Sequence, residues 1–471
     1  MTQENHSPTY IVRLQDGTSA GSLTATFRFA PELPAVGQPG AQAGDLLLTP
    51  NNEAGHTVTV SLGKREKATA ETARKAGGAL GKWLLDSGAT ALTVDLSGLE
   101  EIPGASQAAL EGVKLGAYRF GRYKQNDKPA PELTITVTGA DDGLTGRVER
   151  LTDAVIFARD LAHEPANVIN PITLAERAQF VAQKYGLSFK VIDDKQLAEM
   201  GAGAILAVGK GSRTPPRLIV LEYPGVNAEG QQPVVLVGKA ITFDTGGYSI
   251  KGTEGIVGMK YDKCGGVDVL ATMQAAAELK IKTPLVGIIS AAENMISGDA
   301  YRPDDIIHTL NGKTVEIIST DAEGRLVLAD ALTYAQQTYQ PRALIDLATL
   351  TGGVVVALGR VRAGLLSNND ALAEALYRAG EATGERLWRL PLDEEYSRNM
   401  KGDDADLKNS GGREGHCILG GAFLKAFVND EVPWAHLDIA GVADANKEAP
   451  YAPKGATGFG VRLLIQYLEQ L

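Results

Sequence analysis

Four carboxylates and three cationic side chains stand where apolar runs of the chain give way to glycine-bearing loops. The first group is GKAITFDTGGYSIK (238–251). Lys239 directly follows an apolar run, Asp244 comes five residues later, and a Gly-Gly turn leads to Lys251. A plain turn with solvated charges would account for the Gly-Gly pair alone. The segment is not a phosphate loop, because it lacks the GxxxxGK[ST] spacing and an immediate helix. The second group is MKYDKCGG (259–266), where Asp262 precedes a glycine pair that opens a helix. Taken singly, Asp262 is better explained as a helix N-cap. The third is STDAEGRL (319–326). Asp321 and Glu323 are two apart and would point the same way in extended chain, with Arg325 beside both. Asp–Arg pairing at a helix start is the alternative there, yet three charges in five residues between apolar elements are costly to bury unpaired.

All four acids are expected at strand-to-helix transitions of one sheet, where they can converge. Four carboxylates held close repel one another and take up protons unless cations neutralise them. Oxygen ligands suit Mg²⁺, Mn²⁺ and Zn²⁺. Four acids exceed what one ion needs, and a pair of ions about 3.5–4 Å apart is the usual solution for hydrolysis. The residues alone therefore suggest a two-metal hydrolase of unspecified substrate.

The elements that must position these groups are legible as alternation. Continuous Val/Ile/Leu runs at 217–223, 233–238, 284–291, 343–350 and 434–441 alternate with helical patterns near 264–279, 326–338, 371–380 and 416–428. That pattern predicts a largely parallel sheet covered by helices on both faces, with its site at the carboxyl ends of the strands. Ahead of it, strand-like runs (ATFRF, DLLLTP, HTVTVSL, ALTVDL, LTITVTG) and helical stretches at 68–86 and 105–122 predict a smaller α/β domain with no convergent chemistry. Loops are expected at 30–44, 124–131 and 139–146, then a helix from Arg147 to His163 that Glu164-Pro165 and Asn170-Pro171 stop. The expected domains are 1–165, including this linker helix, and 166–471.

Composition narrows the possibilities. The chain has 471 residues and a net charge of −11, with 44% hydrophobic and 22% charged residues, which is globular rather than disordered. Six histidines and two cysteines exclude a Cys₄ or Cys₂His₂ zinc module and a disulfide framework. With no signal-like start and no apolar run of about 18 residues, a soluble cytoplasmic protein without membrane partners is expected. The acidic balance, with no basic cluster beyond KREK (64–67), speaks against a nucleic-acid surface.

In these motifs, and in ARDLAHEPANVINP (158–171), AAENMISG (291–298), ATLTGG (348–353) and WAHLDIAG (434–441), the sequence resembles the leucyl aminopeptidase family, the M17 metallopeptidases. The resemblance implies an α/β catalytic domain behind a variable amino-terminal domain. It makes Lys239, Asp244, Asp262, Asp321 and Glu323 the ligands of two divalent ions, Zn or Mn with Mg or Co as further options. Asp244 and Glu323 would bridge the ions, and Lys239 would bind as the neutral amine. Lys251 and Arg325 match the catalytic positions that are not ligands, with a bicarbonate on Arg325 as base and a metal-bridging water as nucleophile. Met259 matches a side-chain pocket position, and Thr349, Leu350 and Gly352 the substrate-lining segment.

The implied activity is removal of amino-terminal residues, leucine and other apolar ones preferred, from peptides, by a homohexamer built as a dimer of trimers. A DNA-binding regulatory role and a structural hexamer without activity are the alternatives. Departures from the family pattern are Ser319, Thr245, Lys263-Cys264 and Asp268. Cys264 is expected as a small packed residue, and His416 and His436 as packed, hydrogen-bonded histidines.

Overall fold

The computed structural model describes residues 11–18, 23–30, 42–50, 55–124 and 132–471, so most of the expected loops at 30–44 and 124–131 lies outside it. Two compact units are formed, Met1–Ile156 with Ala445–Gly455, and Phe157–Asp444 with Ala456–Leu471. The chain passes between them within one helix, and the return of 445–455 to the first unit has no counterpart in the limits expected at 165 and 166.

In the first unit the strands β1 (Ile11–Asp16), β2 (Leu23–Arg28), β3 (Leu46–Pro50), β4 (His56–Ser61), β5 (Ala91–Asp95) and β6 (Glu132–Thr138) form one sheet in the order β1-β6-β5-β2-β4-β3. Every pair is parallel except β3–β4. Helices α1 (Ala70–Ser87) and α2 (Ala105–Gly116) pack so closely that only glycine fits between them. A Cβ on Gly77 would sit 2.1 Å from the Ala109 carbonyl oxygen, and one on Gly112 2.0 Å from that of Arg74. Helix α3 (Leu144–His163) follows.

The second unit is built on β7 (Ser188–Ile192), β8 (Arg217–Tyr223), β9 (Val234–Asp244), β10 (Leu285–Asn294), β11 (Ile306–His308), β12 (Thr314–Glu316), β13 (Ala343–Ala348), β14 (Ala363–Ser367), β15 (Leu387–Arg389), β16 (Leu407–Lys408) and β17 (Trp434–Asp438). Eight of these form the main sheet, β15-β14-β17-β13-β9-β10-β8-β7, and β11-β12-β16 form a small separate one. The four central strands β17, β13, β9 and β10 run parallel, and antiparallel pairings at β14–β17, β10–β8 and β8–β7 flank them.

Its helices are α4 (Pro171–Tyr185), α5 (Asp194–Met200), α6 (Gly203–Gly209), α7 (Thr253–Ile256), α8 (Cys264–Leu279), α9 (Gly324–Tyr339), α10 (Gly352–Leu358), α11 (Asp370–Thr383), α12 (Glu394–Arg398), α13 (His416–Lys425) and α14 (Val461–Leu468). Alternation along β9 shows why both sheet faces are covered. Val235, Val237 and Ile241 share a core with Leu326, Val327 and Ala331 of α9, while Gly238 and Ala240 meet Gly266 of α8. Each such fully buried aliphatic side chain contributes about 1.5–3 kcal/mol, which is why these strands read as unbroken apolar runs. Among the described residues no helix is long and apolar enough to cross a membrane.

Candidate metal centre and catalytic cleft

Strand β9 is longer than its apolar run, and this changes where the first lysine sits. Lys239 and Asp244 both lie within the strand rather than in a loop after it. The pairing of β9 with β13 ends at Gly238–Leu347, while its pairing with β10 continues to Asp244–Asn294. Lys239 therefore stands just where β13 has run out, and its ammonium donates to the Thr349 carbonyl oxygen at 2.8 Å. The side chain is 2% exposed, and Gly324 at the start of α9 makes room for it, since a Cβ there would lie 2.6 Å from Lys239 Cε. Beyond Asp244 the backbone turns through Gly246 (φ +82°) and Gly247 (φ +61°), conformations that favour glycine. The turn brings Lys251 back over Asp244.

Asp262 is not an N-cap. It sits in a 3₁₀ turn, Met259–Lys263, and α8 begins at Cys264 without a side-chain cap. Its Oδ1 instead accepts from Lys239 Nζ at 2.9 Å and Thr349 Oγ1 at 2.7 Å. Asp321 and Glu323 do not share an extended segment either, because Glu323 already has helical dihedrals at the start of α9. Glu323 Oε1 lies 2.9 Å from Lys239 Nζ, and Asp321 Oδ1 lies 2.5 Å from Lys251 Nζ, which also reaches Asp244 Oδ2 at 2.8 Å. Arg325 pairs with neither neighbouring acid: its Nη1 donates to the Asn409 carbonyl oxygen at 2.7 Å.

Four carboxylates thus face two ammonium groups, leaving two negative charges in a largely buried place. Burial pushes Asp262 up to about 7 and Asp244 up to about 6, in each case aided by Glu323. Asp321 is raised by burial as well. Burial would also raise Glu323, but Lys239 and Lys251 outweigh it and hold that carboxyl below its ordinary value. For Lys239 and Lys251 burial works to lower the pKa, and the surrounding acids overcome it and hold both above the usual lysine value. An ion-free site keeps both lysines as ammonium groups. A Lys239 that serves as a ligand must release its proton when a cation enters.

The donor set fits divalent cations. Single oxygens of Asp244, Asp262 and Glu323 lie within 4.8 Å of one another. Asp262 Oδ2 and Glu323 Oε2 are buried and have no hydrogen-bond partner, a cost that a cation would remove. The Arg325 Nε is buried and unpartnered in the same way, and burial pushes this guanidinium down to about 10.

A cleft of about 290 Å³ is lined by Lys239, Asp244, Lys251, Met259, Asp262, Asp321, Glu323, Thr349, Leu350 and Gly352. Arg325 is brought beside them but does not line the cleft, being 2% exposed. Tyr261, Val355, Arg360, His416, Ala440 and Asp444 also line it, and sequence reasoning named none of them as site residues. Three further polar side chains fix the site from behind. Asn294 Nδ2 donates to Asp244 Oδ1 at 2.8 Å, Thr320 Oγ1 donates to the Gly246 carbonyl at 2.6 Å, and Asp438 Oδ1 accepts from the amides of Leu350 and Thr351. Asn294, Thr320 and Asp438 lie in the motifs AAENMISG, STDAEGRL and WAHLDIAG, and for Asp438 a charge inside an apolar run is the signal in the sequence.

Of the two histidines expected to be packed and hydrogen-bonded, His436 is, with Nδ1 2.5 Å from Asp346 Oδ1. His416 is not: it is half-buried on the cleft wall. Lys263 is buried with its ammonium on the carbonyl oxygens of Ala162 and Glu164, and Cys264 is a buried free thiol.

This constellation can be set against known proteins. Residues 156–465 match the sequence profile described as the cytosol aminopeptidase family, catalytic domain, and residues 34–127 match that family's N-terminal domain. A probable cytosol aminopeptidase of Geotalea uraniireducens is 46% identical over 423 residues, 88% of this chain and 85% of the relative. One from Exiguobacterium sibiricum is 41% identical over 438 residues, 92% and 91% of the two chains. Among solved structures, the bottromycin maturation enzyme BotP in complex with Mn superposes with a TM-score of 0.89 at 34% identity, covering 96% of this chain and 99% of that one. A mutant of tomato leucine aminopeptidase gives 0.88 at 31% identity, covering 100% and 98%. The chain belongs to the cytosol aminopeptidase family, peptidase family M17, and is an aminopeptidase.

Proposed function

We propose that this aminopeptidase is a two-metal enzyme that releases leucine and other apolar residues from the amino termini of peptides. The observation that carries the proposal is the pair of buried, unpartnered oxygens, Asp262 Oδ2 and Glu323 Oε2, set beside Asp244 and facing a cleft. Lys239, Asp244, Asp262, Asp321 and Glu323 would hold two divalent ions, with Zn²⁺ or Mn²⁺ suited to the mixed oxygen and amine donors. When bound, the ions supply Lewis-acid polarisation and an activated water. The Mn complex of the bottromycin maturation enzyme supports Mn²⁺ as one occupant.

The chain's own groups do the rest. With the acids neutralising the bound ions, the acid-lined end of the cleft would take a substrate's free, uncharged α-amine, which restricts cleavage to the amino-terminal residue. Lys251 stays charged and, held by Asp244 and Asp321, is placed to stabilise the oxyanion that develops on the scissile carbonyl. Arg325, with its orphaned Nε, would hold bicarbonate. Met259, Thr349, Leu350 and Gly352 form the wall against which an apolar side chain rests. By family, the proposed assembly is a homohexamer, a dimer of trimers, in the cytoplasm, without nucleic-acid or membrane partners.

The test compares leucinamide, N-acetyl-leucinamide and the amides of glutamate and lysine in the presence of Mn²⁺ or Zn²⁺. The expected result is fast release from leucinamide, slower release from the charged residues and none from the acetylated substrate. Hydrolysis of the blocked amide would overturn the aminopeptidase assignment. A light-scattering mass near 49.6 kDa, that of one chain, would overturn the hexamer.

A further inference from the structure

Asp321 is the most exposed of the four acids, at 38%, and it sits in the stretch 317–323, which carries neither helix nor strand. That stretch is held from two sides. On one, the Thr320 carbonyl accepts from Tyr301 Oη at 2.8 Å and from Asn294 Nδ2 at 3.0 Å. On the other stands Asn409, the residue after β16, with 0% exposure. Its Oδ1 accepts the amides of Ile318 at 2.8 Å and Ser319 at 3.2 Å. Its Nδ2 donates to the carbonyls of Ser319 at 2.6 Å and Ala322 at 3.4 Å. A side-chain amide has two N–H donors and an oxygen with two lone pairs, so all four are spent on residues flanking Asp321. The Asn409 amide donates to the Glu316 carbonyl at 3.0 Å, continuing the β12–β16 pairing, and its carbonyl is the acceptor for Arg325 Nη1. One buried residue thus grips the ligand loop by its side chain and Arg325 by its main chain. The acids themselves divide into two groups. Asp262 and Glu323 lie on Lys239, while Asp244 and Asp321 lie on Lys251. Asp321 is also outside the cluster formed by Asp244, Asp262 and Glu323. An ion on the Lys251 side therefore depends on Asp321, and one on the Lys239 side does not.

We propose that Asn409 is the positioning residue for the Lys251 side of the centre, fixing the Asp321 ligand that one of the two cations requires and tying it to Arg325. This rests on the two-ion reading proposed above and adds to it the residue that sets the affinity of one ion alone. Asn409 acts through the loop and not on substrate or reacting atoms. Without its side chain, residues 318, 319 and 322 lose these partners, while Thr320 stays pinned by Tyr301 and Asn294. The bond from Arg325 to the Asn409 carbonyl survives truncation, because it belongs to the main chain. The loss therefore falls on the direction of the Asp321 carboxylate. Removing a partner that orients a ligand costs about 10–100-fold in metal affinity.

The experiment titrates Mn²⁺ into chelated wild type, Asn409→Ala and Asn409→Ser by calorimetry, counts bound metal, and records thermal melts and leucinamide turnover at rising Mn²⁺. Asn368→Ala is the control. Asn368 grips the amino end of β17 in the same two-way manner, accepting the Trp434 amide at 2.8 Å and donating to the Val432 carbonyl at 3.0 Å, at the strand end away from the site. The wild type is expected to bind two ions. Asn409→Ala is expected to keep the first at wild-type affinity and to bind the second about 10–100-fold more weakly, with turnover recovering as Mn²⁺ is raised. Asn409→Ser, which retains one hydroxyl for the Ser319 carbonyl, is expected to fall between, and it decides the matter if the alanine variant does not fold. Asn368→Ala is expected to melt lower with both ions bound as in wild type. Equal weakening of both ions in step with a lower melting temperature would make Asn409 a packing residue and overturn the proposal. Wild-type affinity for both ions in both Asn409 variants also overturns it, while leaving the two-ion aminopeptidase standing. A wild type fully active with one ion per chain overturns the two-ion reading, and the proposal with it.

Discussion

Gly324→Ala tests the proposed centre with a single methyl group. The new Cβ would lie 2.6 Å from Lys239 Cε, 2.7 Å from Nζ and 2.8 Å from Cδ, whereas carbon contacts settle at about 3.5–4.0 Å. Lys239 cannot swing into solvent, because it is 2% exposed and held by Asp262 Oδ1 and Glu323 Oε1, each at 2.9 Å. Either the lysine leaves its acids or α9 shifts as a whole. Overpacking of this kind costs about 1–3 kcal/mol, and alanine's helix propensity returns up to about 1 kcal/mol. The net loss of stability, roughly 0–2 kcal/mol, leaves the protein folded. Function is expected to suffer more, since a displacement of roughly 1 Å in a reacting constellation costs about 10²-fold. The assay pairs circular-dichroism melts with kcat/KM on leucinamide and the metal content of the purified protein. Gly298→Ala serves as control, because nothing lies within 4 Å of its Cβ position. A Gly324→Ala protein with wild-type activity and metal content would show that Lys239 does not need the place it occupies, and would refute the reasoning.

Three other outcomes follow from the same contacts. Asp330 accepts the amides of Ala204, Ile205 and Leu310 in a buried place, so Asp330→Ala strands three N–H groups and is expected to cost on the order of 3 kcal/mol or more, read by urea denaturation; a loss under about 1 kcal/mol would contradict it. Asp438→Asn removes the charge that holds the amides of Leu350 and Thr351 and the Thr351 hydroxyl, so kcat/KM is expected to fall about 10-fold or more, and an unchanged value would mean the 349–352 segment is held elsewhere. Lys239 is held protonated by the acids around it, against burial, so cation binding should release a proton and Mn²⁺ affinity should rise with pH; calorimetry in buffers of different ionisation enthalpy reads the release, and pH-independent binding would exclude the amine as a ligand.

The sequence shows the catalytic sheet well where strands are buried on both faces. The runs at 217–223 and 343–350 and the helix at 264–279 announce themselves because burial on both sides demands unbroken apolar residues. Strands β14 and β15 and helix α6 are short pieces of five, three and seven residues, too brief for a period to emerge. Asp262 looked like an N-cap because a carboxylate before a helix ordinarily is one, and only the fold brings Lys239 and Thr349 to it. The full extent of β9 is hidden because Lys239 interrupts the apolar run, and a charge inside a central strand is tolerated here through two buried carboxylates and the Thr349 carbonyl. His416 carried no spacing signal. Its position depends on two glycines, 353 and 420, that let α10 and the Leu350–Thr351 segment approach α13, and that proximity is a property of three dimensions.

The central claim is that the acids around Lys239 hold the cations on which peptide cleavage depends. The most direct measurement is turnover of leucinamide by wild type, Asp262→Ala and Glu323→Ala after exhaustive chelation, followed by titration of Mn²⁺ or Zn²⁺ with bound metal counted in parallel. The account predicts that chelated wild type is inactive and recovers as two ions bind per chain, while the two variants bind fewer ions and stay inactive. Full activity in chelated wild type, or wild-type activity in either variant, would contradict it.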